Sequence, residues 1–203
     1  MKNKNIENAK SAENTKSTKE NEMISLIPKM NNYREILEYA KKNYSNNIAY
    51  KYKKNPEEKP AKYVEKTYNE TIKDVKALAT ALLKRGLANK RVALIGENRY
   101  EWCVSYLAVT CGGMIIAPLD KTLPDKEITE LIKRSEVDAV IFEKKHEDLF
   151  KKLKADEKIK LSTLICIDNN RNEDKKDNEK SNESDEANKD IISFSSLLAE
   201  CEK

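Results

Sequence analysis

Four short apolar segments, RVALIGEN, MIIAPLD, DAVIFEK and STLICID, recur between Arg91 and Asp168, with helically spaced stretches between them. Strands alternating with helices build βαβ units, and such units close onto a parallel sheet. The segments are apolar at consecutive positions, the pattern of strands covered on both faces. The expected fold is therefore α/β, a βα-alternating, largely parallel sheet covered by helices on both faces.

The helix signals are equally local. Tyr33, Ile36, Leu37 and Ala40 share one helical face. IAYKYKK and KYVEKTY alternate, are joined by NPEEKP, and predict an N-terminal β-hairpin. Thr67-Tyr68-Asn69-Glu70 is a capping box opening a helix with Ile72, Val75, Leu78, Ala79 and Leu82 on one side. Gly86 is placed to end it in a left-handed conformation. Asn98 and Glu101 read as a second cap pair, starting a helix apolar nearly all round that Gly112-Gly113 stop, and such a helix is expected to be buried on most sides. Thr122, Pro124 and Asp125 begin another, with Ile128, Leu131, Ile132 and Ser135 on one face; His146 to Leu153 is a short one. IISFSSLLAECEK reads as a strand leading into a helix.

The apolar residues are concentrated in these segments, because only 38% of the chain is hydrophobic. Residues 1–22 are polar and predict a disordered tail. Residues 169–190 hold one apolar residue, Ala187, with five basic against eight acidic side chains, and predict a disordered linker or loop. Residues 23–168 form the α/β unit, and 191–203 its strand and helix end. The 39 basic and 35 acidic side chains are mixed, without the basic stripe of a nucleic-acid binder. The N-terminus has no apolar core of a secretory signal, and no apolar run approaches the roughly 20 residues of a membrane span. The expected location is cytoplasmic, with peripheral membrane contact still compatible. Cys103, Cys111, Cys166 and Cys201 form no CxxC pair, so neither a zinc site nor a disulfide framework is expected.

The corner GENRYEW sits where nucleotide folds place a phosphate loop. Such a loop needs several glycines, so that backbone amides can approach the phosphates. The chain has four, Gly86, Gly96, Gly112 and Gly113, and no GxGxxG or GxxxxGK[ST] can be built from them. Gly96 is expected to serve strand-to-helix packing, and Asn98 a plain cap. A phosphoacceptor pocket fails too, since Glu97 stands alone and Asp120 reads as a turn residue. Lys144 and Lys145 read as solvated, His146 as a surface residue at a helix start, and Trp102 and Tyr106 as core packing.

Taken together, the Thr-Tyr-x-Glu helix start, the GENRYEW corner, the Leu-Ala helix ending in Gly, the Pro-Leu-Asp strand end and the Val-Ile-Phe strand resemble the AMP-forming acyl-CoA synthetases. The long-chain fatty acid–CoA ligases are the nearest in kind. The resemblance covers residues 33–168, and FSSLLAE is similar to the helix that follows in these enzymes. It implies a partial N-terminal subdomain of an adenylate-forming ligase. The parent reaction would join a fatty acid to CoA through acyl-AMP, using ATP, Mg²⁺ and CoA. Its partners would be the remaining central and C-terminal domains. The family's Ser/Thr/Gly-rich phosphate loop, Tyr-Gly-x-Thr-Glu segment, ribose-binding Asp and catalytic Lys are absent from these residues. No catalytic, cofactor-binding or metal residue is therefore assigned, and no cofactor or adenylating activity is expected of this chain alone. The alternatives are a catalytically dead α/β interaction module and, disfavoured by the glycine count, a free-standing nucleotide-binding domain.

Overall fold

A computed structural model describes residues 28–53, 59–168 and 190–201. The disorder expected over 1–22 and 169–190 lies outside these residues, Asp190 excepted. The chain divides into two units, residues 1–36 and 37–203. In the first, Asn32 Oδ1 accepts from the Glu35 amide at 3.0 Å and Glu35 Oε2 accepts from the Asn31 amide at 2.7 Å. This reciprocal pair opens helix α1, Tyr33–Tyr44.

In the second unit, the remainder of α1 buries Ala40 and packs Leu37 against the core. Strands β1 (Ile48–Lys53) and β2 (Tyr63–Thr67) form the expected antiparallel hairpin, with Tyr50 opposite Lys66 and Tyr52 opposite Val64. Spacing by two puts Tyr50 and Tyr52 on one side, and both pack against the core. Helix α2 (Tyr68–Lys84) starts at the predicted capping box: Thr67 Oγ1 accepts from the Glu70 amide, and the Glu70 carboxylate from the Thr67 amide. It ends as predicted at Gly86, φ +76°. There the Gly86 amide bonds Leu83 O and the Leu87 amide bonds Leu82 O, the two bonds of a Schellman motif.

Five parallel strands follow: β3 (Arg91–Ile95), β4 (Ile115–Pro118), β5 (Ala139–Phe142), β6 (Thr163–Cys166) and β7 (Ile191–Ser193). Their order is β4-β3-β5-β6-β7. Alternation along each strand divides the core in two. Val92, Leu94, Ala139, Ile141 and Ile165 face helices α2, α3 (Tyr100–Cys111) and α6 (Phe194–Ala199). Ala93, Ile95, Val140, Phe142 and Leu164 face α4 (Asp125–Ser135) and α5 (Glu147–Ala155). Both faces are covered by helices, as the continuous apolar strands require.

Helix α3 holds no exposed residue, as expected: Tyr100, Val104, Ser105, Ala108 and Val109 are buried, and Trp102 and Tyr106 stack half-buried at 5.6 Å against the core. Three expectations change. The strand after Met114 is covered less than the others: among the described residues β4 pairs with β3 alone, Ile116 and Ala117 are partly buried on opposite faces, and Ile115 is 53% exposed at the sheet edge. Asn98 is not the cap, because the N-cap position falls on Arg99 and no side chain bonds there. Nor does Thr122 cap α4; its amide and hydroxyl bond Asp120 Oδ1 at 2.8 and 2.7 Å, confirming Asp120 as a turn residue.

Candidate functional site at the carboxyl ends of the strands

In open parallel sheets, ligands bind beyond the carboxyl ends of the strands, where the strand order reverses. Here the chain runs from β3 to β4 on one side and returns to β5 on the other, so the reversal lies between β3 and β5. The residues leaving the strands at this end are Gly96, Glu97 and Arg99 after β3, Asp120 and Lys121 after β4, Glu143 to His146 after β5, and Asp168 after β6.

Charged side chains among them form two clusters, Glu97, Lys121, Glu143 and Lys145 in one, and Arg99 and Asp168 with Glu101 in the other. Glu143 is 6% exposed, and its Oε1 accepts from the Glu97 amide at 2.7 Å. Its Oε2 pairs with Lys145 Nζ at 3.2 Å, and Lys145 also reaches Glu97 Oε1 at 3.7 Å. Lys121 pairs with the other Glu97 oxygen. This ion pair, then Lys145, holds the exposed Glu97 carboxyl below the usual carboxylate range. Beside it, Asp168 accepts from the Lys144 amide at 2.8 Å and pairs with Arg99, whose Nε bonds Glu101 at 2.7 Å.

The structure corrects three readings of these residues. Glu97 does not stand alone, because tertiary folding sets Glu143 against its amide. Lys145 is an ion-pair partner rather than a merely solvated lysine. His146 is buried, with Nε2 lacking a hydrogen-bond partner, and its ring lies edge-on to Phe150 at 6.2 Å. Burial, then the Lys145 charge, keeps its imidazole below the ordinary histidine range, so the neutral ring suits this apolar seat. Glu143 itself went unrecognised. Its one signal was a charge following four apolar strand residues, a position that the strand end must bury or expose according to what packs over it.

A second concavity, of about 790 Å³, runs along the outer side of α2 and includes Lys66, Lys73, Asp74, Lys84 and Cys201. Its floor is Asp74, which accepts from the Tyr100 hydroxyl at 2.6 Å and pairs with Lys66 at 3.2 Å. Lys66 also lies 5.6 Å from the Tyr100 ring centre, over which Tyr52 stacks.

Neither place offers open chemistry for a nucleotide. At the carboxyl ends, the donors a phosphate would need are engaged by the chain's own carboxylates. The α2 groove has an acid for its floor. Among the described residues, no three His, Cys, Asp or Glu side chains gather to hold a metal ion. The described residues at these two places thus do not offer ATP phosphates an open set of donors.

Comparison with known proteins gives the class that the local site does not. The profile of the family described as AMP-binding enzyme matches residues 37–197. The chain belongs to that family. It is 36% identical over 95 residues to long chain acyl-CoA synthetase 4 of Arabidopsis thaliana, a match spanning 46% of this chain and 14% of that protein. Among solved structures, an anthranilate CoA ligase in complex with anthranoyl-AMP superposes with a TM-score of 0.63 at 16% identity, covering 87% of this chain and 28% of the ligase. The adenylation domain of a carboxylate reductase from Mycobacterium chelonae gives 0.67 at 13% identity, covering 88% and 30%. These show a shared fold, that of adenylate-forming ligase domains. The chain spans less than a third of each of these relatives. No helix among the described residues is long and apolar enough to cross a membrane.

Proposed function

We propose that this chain forms the N-terminal part of a long-chain fatty acid–CoA ligase, which converts ATP, fatty acid and CoA to acyl-CoA, AMP and pyrophosphate. The observation that carries the substrate class is the 36% identity over 95 residues to a long chain acyl-CoA synthetase. In this reading residues 23–168 and 191–203 are a scaffold subdomain joined by a linker over 169–190. The enzyme is cytoplasmic, and the remaining domains supply the groups that hold ATP, Mg²⁺ and CoA. The closed ion-pair network at the strand ends supports a scaffold role, because adenylation needs donors aimed at the charge building on phosphorus.

ATP–pyrophosphate exchange tests this directly. The 203-residue chain should stay at background with palmitate, whereas the chain extended by its downstream coding sequence should exchange and form palmitoyl thioester in preference to acetyl. Palmitate-dependent exchange by the short chain would overturn the scaffold role. Acetate preference in the extended protein would overturn the long-chain assignment. An extension that folds yet binds no nucleotide would favour the interaction module.

A further inference from the structure

The geometry points to Glu143 as an internal anion: its carboxylate occupies the phosphate position at the strand-order reversal and excludes nucleotide phosphates from this crevice. The inference goes beyond the ligase assignment, since it concerns which part of the chain a nucleotide cannot use.

Position comes first. The Glu97 amide lies at the exit of β3, beside the reversal between β3 and β5, where phosphates of bound nucleotides are received in folds of this kind. The 2.7 Å bond from that amide to Glu143 is charge-assisted, so the carboxylate makes the contact that a phosphate oxygen would make. With 6% of Glu143 exposed, the group sits inside the corner rather than across its mouth.

Gly96 is the second observation. Its φ is not in the left-handed region, so its backbone conformation does not call for glycine. A Cβ there would lie 3.1 Å from Glu143 Cγ and 3.3 Å from Oε1. The glycine therefore makes room for the glutamate side chain to reach the next amide. The corner has the small residue of a phosphate loop and the approach space of one, but its own carboxylate fills that space.

Charge is the third. Glu97, Glu143, Lys121 and Lys145 sum to zero and neutralise one another within the network. A phosphate entering it would meet two carboxylates. Removing Glu143 leaves these groups at +1, frees the Glu97 amide and releases Lys145 from one partner.

The test uses the ¹⁵N-labelled 203-residue chain titrated with inorganic pyrophosphate and with AMP, reading the Glu97 amide resonance. In the wild-type chain that resonance should not move along a saturating curve. E143A should show saturable pyrophosphate binding at Glu97, at least about tenfold tighter than wild type, as one freed charge-assisted donor and one deleted like charge imply. E143Q keeps an acceptor for the amide without the charge, and should fall between the two. Its near-native shape decides the matter if E143A does not fold. A saturable shift of Glu97 in the wild-type chain would overturn the inference, and so would no gain in whichever variants fold. The experiment measures binding without turnover, so its failure is separate from failure of the ligase assignment.

Discussion

Among the described residues three carboxylates are buried in the second unit, Asp74, Asp138 and Glu143, and two of them, Asp74 and Glu143, are held in different ways. Asp74, under the hairpin, is bonded to two side chains, the Tyr100 hydroxyl and the Lys66 ammonium. Glu143, at the strand ends, is bonded to a backbone amide and to Lys145. The first joins three elements, β2, α2 and α3, through side chains alone. The second ties the loop after β3 to the end of β5. A buried acid that ties side chains together should matter more for stability. One that satisfies a loop amide should matter more for what the crevice admits.

The largest effect expected from this contrast is at Asp74. D74A leaves a buried hydroxyl and an ammonium without their acceptor, and should cost ~2–4 kcal/mol in urea denaturation. D74N, which keeps an acceptor for Tyr100, should recover part of this. A loss smaller than that of E143A would break the comparison.

Alkali should separate the junctions next. Burial, then the bond to Asp74, raises the Tyr100 phenol well above its ordinary range, and burial pushes Tyr50 up to about 12. Their folded-state values exceed the unfolded one, so their contribution is complete below about pH 10 and is lost as pH rises through the folded values. Tyrosinate absorbance should show these two ionising only as the hairpin releases. Ionisation of all nine tyrosines in one wave near pH 10, with the fold intact, would refute it.

Glu143 comes third. E143A should cost ~1–2 kcal/mol, less than D74A, because the orphaned amide adjoins solvent. The same denaturation series reads it. Gly96 sharpens the point: G96A should cost ~1 kcal/mol in the wild type, through crowding of Glu143 alone, and close to nothing in E143A. Equal costs in both backgrounds would mean that the glycine serves something other than the glutamate.

The smallest effect is acid sensitivity at the surface of the crevice. Lys121 holds the Glu97 carboxyl low, so that contribution is present above its unfolded value near ~4.3 and fades as pH falls through the lower folded value. The stability difference between wild type and K121M should be slight, and should shrink further below about pH 4 and in high salt. A difference that persists in both would show that Lys121 acts through packing.

Much of this protein could be read without its structure. The capping box at Thr67, the left-handed stop at Gly86, the hairpin and the βα alternation each depend on residues a few positions apart, and local physics settles them. The same range of interaction explains the family resemblance, which rests on the order of these signals along the chain. Tertiary structure decided what depends on distant neighbours. MIIAPLD and RVALIGEN look alike as apolar runs, yet one became an edge strand and the other an interior one, because the chain crosses back over β3 on its way from β4 to β5. The Glu143–Glu97 bond spans 46 positions and the Tyr100–Asp74 bond 26. A carboxylate shows in sequence only its charge, and whether it meets water, an amide or a ligand is settled by which strand ends the fold sets side by side.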